Sequence, residues 1–281
     1  MISHRGDHFT DISMLKLRLA TFLAAFLMTG AAQAARCGGD FNSFVANVSA
    51  DAQSAGVSQS VISSSLSGVT QDGSVLAFDR RQRYTFKKTF EQYVSTRVGS
   101  GRINGGRAML ARHAALLSRI EQQFGVPRQI LVAIWGLESD FGKGDMGKLP
   151  VIRTLATLAH DCRRSDLFQG ELIAALKIVQ RGDLPLRDLI GAYAGEIGQT
   201  QFLPSSYIKY GVDFDGDGRV DLRHSAADVL ASTANLLHSN GFKMGGSYEE
   251  GSENFEAMRE WNHAVIYRKT IAYFADRLIG Q

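Results

Sequence analysis

The chain has 281 residues, and its 31 basic and 28 acidic side chains give a net charge of +3. So weak a balance is not typical of a nucleic-acid-binding protein. Two cysteines are too few for a disulfide-rich scaffold. The chain shows no zinc-ligand spacing, serine nucleophile elbow or phosphate loop, so a catalytic metal, a serine hydrolase and a nucleotide-binding enzyme are not indicated.

The first 34 residues are typical of an export signal. Lys16 and Arg18 precede an apolar run over 19–32, and Ala32-Gln33-Ala34 fits a small-x-small cleavage site. The run is shorter than the roughly 20 residues that a membrane span needs. Arg36 precedes Cys37 where lipid-anchored proteins carry a small residue. We therefore expect a periplasmic protein without a stable membrane anchor, with 35–281 as its mature domain.

The remaining chain predicts a mainly α-helical protein. Only four prolines occur, strand-like alternation is scarce, and no internal repeat is evident. A turn-rich link is expected over 68–75, and Gly125-Val126-Pro127 ends one helix and begins the next, which reaches Phe141. The other predicted helices are 41–55, 57–66, 84–98, 103–124, 151–160, 166–180, 186–192, 225–240 and 261–279.

Glu138 is the strongest candidate for a catalytic residue. It falls on the same helical stripe as three apolar side chains, Leu131, Ile134 and Trp135. A carboxyl group held against apolar surface loses hydration, so its pKa rises and it can act as a general acid near neutral pH. The alternative is a glutamate that turns to solvent at the helix end or pairs with Lys143 or Lys148.

A second informative segment is the glycine-rich stretch from Gly191 to Tyr207. Gly195 and Gly198 permit close backbone approach. The polar residues that follow are interleaved with aromatic ones, which suits a sugar because its hydroxyls need hydrogen bonds and its ring faces stack. An ordinary glycine-rich loop before a helix is the alternative. The polar candidates are Gln199, Thr200 and Gln201.

A third segment resembles the start of an EF-hand calcium loop. Aspartates occupy loop positions 1, 3, 5 and 9, glycine occupies position 6, and a backbone carbonyl would serve at position 7. Position 12 is His224, which cannot supply the usual bidentate carboxylate. We expect a structural calcium ion, and an Asp-Gly turn without an ion is the alternative. The predicted ligands are Asp213, Asp215, Asp217, Arg219, Asp221 and Asp228.

Two smaller features complete the set. In an oxidising compartment Cys37 and Cys162 predict either a disulfide or two separate buried thiols. Near the C-terminus, Trp261 and Tyr267 flank the start of the last predicted helix, where both could serve the core alone. His263 is interpreted as a surface residue.

Together these residues resemble the membrane-bound lytic transglycosylase B family of bacterial peptidoglycan-cleaving enzymes. The resemblance runs from about 37 to 279. Segments 37–41 and 160–164 are similar to a periplasmic, non-lipidated branch, which favours the disulfide. The matching pieces are Gly125-Val126-Pro127, Ile134 to Ser139, Thr157-Leu158-Ala159, Gly195 to Tyr207, the Asp-Gly-Asp-Gly loop, Ala234-Asn235 and Trp261-Asn262.

The resemblance implies a lysozyme-like helical core with an EF-hand-like loop, and Glu138 as its one essential acid. Such enzymes cut the β-1,4 bond between N-acetylmuramic acid and N-acetylglucosamine and form a 1,6-anhydro ring without consuming water. It implies no catalytic cofactor, a structural calcium ion, glycan strands as the partner and a monomer with no separate peptidoglycan-binding module. The implied substrate-binding residues are Tyr93, Gln201, Asn262 and Tyr267, and the glycine-rich segment adds Gln199 to the predicted set.

Two positions depart from the family pattern. Ala192 stands where the family often has serine, so one hydroxyl contact is missing. Glu196 replaces a small residue and is either a solvated loop charge or a second carboxylate near the cleft. A second carboxylate would make a muramidase-type hydrolase an alternative. A catalytically silent glycan-binding or calcium-binding protein is a further alternative, against which Glu138 argues.

Overall fold

The computed structural model describes residues 35–81 and 88–280, so the predicted signal segment lies outside the described residues. The described part is mainly α-helical, as predicted, and none of its helices combines the length and hydropathy needed to cross a bilayer. The α-helices are α1 (Phe41–Ser54), α2 (Gln59–Leu66), α3 (Gly73–Arg81), α4 (Phe90–Arg97), α5 (Ser100–Arg112), α6 (Ala114–Phe124), α7 (Arg128–Ser139), α8 (Val151–His160), α9 (Ser165–Arg181), α10 (Pro204–Tyr210), α11 (Ala226–Ser239), α12 (Glu253–Ala257) and α13 (Val265–Ile279).

Helix α7 is the central element of the fold. Every residue from Ile130 to Leu137 is buried, and α5, α6, α11 and α13 pack around the helix. At Gly136 an added Cβ would lie 2.7 Å from Phe141 and 2.9 Å from Phe274, so only glycine allows these rings to approach. Close packing on all sides fixes the C-terminal end of α7, which carries Glu138.

A second group of helices packs beside this centre. Helices α8 and α9 pack extensively on each other, and α1, α2 and α3 contact one or both of them. A disulfide joins Cys37, ahead of α1, to Cys162, between α8 and α9, with the two Cα atoms 5.2 Å apart. The predicted disulfide is confirmed, and it ties the start of the described chain to the helical core.

A short β-pair shapes the glycine-rich loop. Strand β1 (Leu149–Pro150) pairs antiparallel with β2 (Ile190–Gly191), and the chain then folds back through a bridge between Ile197 and Phe202. An added Cβ at Gly191 would lie 2.1 Å from the Glu196 carbonyl oxygen. Glycine is therefore required here, and the tight loop holds Glu196 and Gln201 in fixed places.

The structure corrects several predicted elements. The helix expected over 103–124 breaks at His113, whose ring packs edge-on against Trp135 with a centroid distance of 5.6 Å. The helix expected over 186–192 is a 3-10 turn at Leu186–Asp188 followed by β2, whose backbone groups pair with β1 instead. In both places a tertiary contact overrides local helical preference.

The boundaries of several other elements differ from those predicted. The link predicted over 68–75 already contains the start of α3, and α10 and α12 were not predicted. Of the helix predicted over 84–98, Phe90–Arg97 is helical, and 84–87 lie outside the described residues. The last helix begins at Val265 rather than Trp261, since Asn262 Oδ1 accepts a hydrogen bond from the Ala264 N–H and forms a turn there.

Candidate active site

Glu138 lies in the last turn of α7, half-buried at the edge of a cleft. Its Oε1 accepts a 2.6 Å hydrogen bond from the Tyr267 hydroxyl and a 3.2 Å hydrogen bond from the Trp261 indole Nε1. Within 35–81 and 88–280, no donor contacts Oε2. The carboxyl group is therefore held by one oxygen, and the other is available to a molecule in the cleft.

The environment of the Glu138 carboxyl group raises its pKa into the neutral range. Burial raises the pKa of Glu138 from 4.5 to about 7, the hydrogen bonds from Tyr267 and Trp261 oppose the rise, and the charge of Glu196 adds to it. A group with this pKa is partly protonated at neutral pH, and its conjugate base is equally accessible. Both states are what a residue needs to act as acid and then as base.

The cleft has a volume of about 350 Å³, and its lining is partly apolar and partly polar. Aromatic and apolar side chains form part of its surface, with amides and carboxyl groups between them. Such a lining suits a sugar, which has both polar edges and apolar faces. Its lining includes Glu138, Arg164, Leu167, Phe168, Tyr193, Glu196, Gln201, Phe202, Glu260, Trp261 and Asn262.

Gln201 lies in the cleft with a strained backbone. Its φ of 55° is in the left-handed region, which non-glycine residues adopt rarely and which is enriched at functional sites. The side-chain Nε2 donates to the Gly198 carbonyl at 2.7 Å, and no donor among the described residues contacts Oε1. The hydrogen bond to Gly198 thus fixes the orientation of the Gln201 amide, and its Oε1 is free to accept a hydrogen bond.

Three other predicted substrate-binding residues also lie near Glu138. Asn262 lines the cleft, and Tyr267 reaches Glu138 directly from α13. Tyr93 on α4 is half-buried, and burial raises the pKa of its phenol, with a further rise from the charge of Glu138. The phenol of Tyr93 is therefore close enough to the Glu138 carboxyl group for the charge of that group to affect its pKa.

The structure corrects the expectation for Gln199. Its side chain is buried, Oε1 accepts a 2.8 Å hydrogen bond from Trp135 Nε1, and Nε2 donates to the Arg223 carbonyl at 2.9 Å. Both ends of the amide bond to the protein, and the buried side chain is not among the residues that line the cleft. Gln199 instead fastens the glycine-rich loop to α7.

Glu196 is a second carboxyl group in the same cleft, as one of its two sequence interpretations held. Its Oε2 accepts a 2.9 Å hydrogen bond from the Ala194 N–H, and burial raises its pKa. The charge of Arg164 opposes that rise, and Arg164 itself is held by Asp79 at 2.7 Å. Glu138 and Glu196 are therefore two carboxyl groups of the cleft lining that are held by different hydrogen-bond donors.

Sequence reasoning missed two parts of this site. Trp261 was interpreted as a residue that could serve the core alone, although its indole donates to Glu138, and Arg164 was not singled out as a cleft residue. The aromatic spacing of 261 and 267 was visible in the sequence. Nothing local indicated that both side chains would reach across to α7, because that contact spans more than 120 residues.

The aspartate loop brings together three of its six predicted ligands. Carboxylate oxygens of Asp213, Asp215 and Asp217 all lie within 4.8 Å of one another. Three negative charges this close repel strongly, and a divalent cation among them would remove the repulsion. Hard carboxylate oxygens are the donors that calcium prefers, so these residues fit such an ion.

The other predicted ligands have different roles. Asp228 is fully buried, and its two oxygens accept from the Phe214 and Asp221 N–H groups, each at 2.8 Å. Asp221 Oδ1 accepts from backbone N–H groups at the following turn, and the Arg219 side chain pairs with Asp217 at 3.2 Å. Asp228 and Asp221 therefore accept hydrogen bonds within the loop, which corrects their prediction as ligands. The backbone carbonyl of Arg219 stays a predicted ligand.

Comparison with known proteins identifies related molecules. A family model described as the transglycosylase SLT domain matches residues 40–250. Membrane-bound lytic murein transglycosylase B of Escherichia coli (strain K12) is 38% identical over 145 residues, which make up 51% of this chain and 39% of that protein. The aligned part thus spans about two fifths of that curated relative.

Solved structures are similar over most of the chain. SltB3 from Pseudomonas aeruginosa, in complex with NAG-anhNAM-pentapeptide, is 30% identical with a TM-score of 0.80, covering 86% of this chain and 80% of that one. Escherichia coli Slt35 in complex with calcium is 24% identical with a TM-score of 0.74, covering 87% and 96%. The second match shows a shared fold alone. These matches confirm the predicted helical transglycosylase fold.

Proposed function

The chain belongs to the transglycosylase SLT domain family, and we propose that it is a lytic murein transglycosylase. It cleaves the β-1,4 bond between N-acetylmuramic acid and N-acetylglucosamine and leaves a 1,6-anhydromuramoyl end. The observation that carries the proposal is the Glu138 carboxyl group, with a pKa of about 7, one oxygen fixed by two donors and the other free at the cleft. The complex of SltB3 with an anhydro-muramoyl ligand supports it.

In the first step Glu138 acts as the general acid. The proton on its free Oε2 passes to the glycosidic oxygen, the bond to muramoyl C1 breaks, and N-acetylglucosamine leaves with a new hydroxyl group. The 2-acetamido oxygen of the muramoyl unit attacks C1 and stabilises the cationic centre as an oxazolinium. Ordinary glycosidases use a second carboxylate for this purpose, and the substrate supplies the group here.

In the second step the same residue acts as the base. The Glu138 carboxylate, stabilised by hydrogen bonds from Tyr267 and Trp261, takes the proton from the muramoyl C6 hydroxyl. The C6 oxygen then bonds to C1 as the oxazolinium ring opens, which closes the 1,6-anhydro ring. Glu138 is protonated again, and no water has been consumed. One carboxyl group therefore completes the cycle.

Glu196 gives a reason to test hydrolysis as a second function. Its carboxyl group lies in the same cleft and is held by one backbone N–H. A second carboxylate can activate a water molecule that attacks C1 of the oxazolinium, which would produce a reducing muramic acid end. The two functions differ in their products, so one experiment separates them.

The test is digestion of purified peptidoglycan with the full chain, followed by mass spectrometry of the soluble fragments. The proposal predicts muropeptides that are one water lighter than the corresponding hydrolysis products. Reducing ends would establish a muramidase instead. A folded protein that releases no fragment would leave only glycan binding.

We also propose that the loop of Asp213, Asp215 and Asp217 holds a structural calcium ion. Support comes from the convergence of their oxygens, and calcium is bound in the structure of Slt35. The ion would neutralise the three carboxylates and stabilise the loop ahead of α11. The predicted export signal supports a periplasmic location, where both calcium and peptidoglycan are accessible, and catalysis by Glu138 needs no cofactor in this proposal.

A further inference from the structure

Two basic cavities adjoin the end of α7 that carries Glu138. The first has a volume of about 400 Å³ and is lined by Arg97, Arg102 and Lys143, together with Asp140 and Phe141. The second has a volume of about 390 Å³. Its charged lining residues are Lys143, Lys148, Arg223 and Asp145. Because Lys143 lines both, the two cavities adjoin each other, and we call their combined lining the basic track.

The basic track has an excess of positive charge. Its five cations face two aspartates, and Arg102 pairs with Asp140 at 3.4 Å. Among the described residues, Lys143 and Lys148 form no ion pair. The catalytic cleft has the opposite character, since Glu138, Glu196 and Glu260 line it with Arg164 as their one basic neighbour in the lining. The two surfaces therefore favour ligand groups of different charge.

The basic track is physically connected to the active site. Gln201, a cleft residue, has its Nε2 3.5 Å from the Met146 carbonyl, and Met146 lines the second cavity. Arg97 lines the first cavity, and its charge opposes the rise in the pKa of Glu138. The cleft and the basic track are therefore neighbours, so that one polymer can contact both surfaces.

We propose that the basic track binds the carboxylate groups of the peptide stems attached to the muramic acid units of the glycan strand. This inference rests on the proposed function, since it names the part of the polymer that the neighbouring surface recognises. The glycan itself is uncharged, whereas each stem carries carboxylates. Lys143 and Lys148 are exposed and supply ammonium groups, and Gly99 and Gly101, with nothing within 4 Å of an added Cβ, leave the wall of the first cavity open to a bulky stem.

Binding can be measured without cleavage in the Glu138→Gln variant of the full chain. The probe is a synthetic tetrasaccharide of alternating N-acetylglucosamine and N-acetylmuramic acid, with L-alanyl-D-glutamate on each muramic acid. Its neutral twin has both glutamate carboxylates converted to carboxamides. We expect the anionic probe to bind about tenfold more tightly than its twin at low salt.

Charge reversal at the shared residue gives the decisive comparison. Adding Lys143→Glu to the Glu138→Gln background should weaken binding of the anionic probe about tenfold or more and change binding of the neutral twin less than about twofold. Lys243→Glu is the matched control. Lys243 is exposed and pairs with Glu253, and the next residue, Met244, would lie 3.3 Å from a Cβ added at Gly125, just ahead of the opposite end of α7.

The inference is overturned if both probes bind equally, if neither binds, or if Lys143→Glu weakens both to the same extent. The outcome is separate from the test of the proposed function, which is read from the products of the unaltered chain. If the unaltered chain forms anhydro products but the variant binds the anionic probe and its neutral twin equally, the proposed function stands and the basic track is not a binding site for peptide stems.

Discussion

The Tyr267 hydroxyl and Glu138 Oε1 are 2.6 Å apart, and this contact joins α13 to α7 across the active site. Burial favours the neutral carboxyl group, whereas the hydrogen bond from Tyr267 favours the carboxylate. The pKa of about 7 results from these two effects together with the smaller ones of Trp261, Glu196 and Arg97. Because both donors contact Oε1, the titrating proton is left on the oxygen that faces substrate.

Replacing Glu138 with glutamine should abolish turnover. The amide can neither donate the proton nor recover it, so we expect a loss of at least about a thousandfold in muropeptide release. Its oxygen can still accept from Tyr267 and Trp261, so folding should be retained. Glu249→Gln, an exposed surface change, is the control. Cleavage by Glu138→Gln at more than a few per cent of the original rate would exclude Glu138 as the essential acid.

The same variant should gain stability at high pH. The folded-state pKa of about 7 lies above the value of 4.5 for an ordinary glutamate. The folded protein therefore holds a proton that the unfolded chain loses between these values, and its stability falls as pH rises through that range. The full shift corresponds to roughly 3 kcal/mol. Glu138→Gln should be more stable than the unaltered chain at pH 8 by up to about this amount and equal to it near pH 4. Urea unfolding at both pH values measures this difference.

Tyr267→Phe should shift the pH dependence of catalysis upward. It removes a hydrogen bond that lowers the pKa of Glu138, so the acid form persists to higher pH. In a plot of kcat/KM against pH, the alkaline limb should move to higher pH. Trp261→Phe should move it in the same direction by less, because its hydrogen bond is longer at 3.2 Å. A limb that stays in place or moves downward would contradict this role.

Glu196→Gln should produce the opposite shift. The charge of Glu196 raises the pKa of Glu138, and glutamine removes that charge while keeping an oxygen for the Ala194 N–H. The alkaline limb of kcat/KM should therefore move to lower pH. Fragments released by this variant should still carry anhydro ends. A complete loss of activity with folding intact would instead assign Glu196 a direct part in the chemistry.

Calcium should raise the thermal stability of the chelator-treated protein. At a concentration about a hundred times the dissociation constant, binding to the folded state alone contributes about 2.7 kcal/mol. Differential scanning calorimetry with and without calcium measures the shift in Tm. Asp213→Asn should remove most of the shift, and Asp188→Asn, a change in an exposed pair, should keep it. An unchanged Tm on adding calcium would contradict the proposed ion site.

The sequence was most informative where one local pattern dominates the environment. The apolar stripe of α7 predicted both a buried helix and the unusual carboxyl group at its end, and the structure places Glu138 there. Helices α8 and α9 match the predicted boundaries to within a residue. These segments have strong helical periodicity and clear ends, so distant contacts changed them little.

Long-range contacts explain what local patterns could not supply. Gln199 and Gln201 are two residues apart and chemically identical, yet one is fixed to Trp135 in the core and the other faces the cleft. The difference follows from the backbone turn at Gln201, whose positive φ the residue type does not signal. The orientation of Asp228 was also not visible in the local pattern. Its carboxylate points into the loop because it accepts hydrogen bonds from the Phe214 and Asp221 N–H groups, which would otherwise be unpaired.

The most direct test of the account is to run the digestion in water enriched in the heavy oxygen isotope and to weigh the muramoyl products. If Glu138 delivers the proton and then directs the C6 hydroxyl onto C1, the products contain an anhydro ring and no label. If water attacks C1, each new muramoyl end contains one heavy oxygen atom. Unlabelled anhydro ends are the predicted result, and labelled reducing ends would contradict the single-acid mechanism.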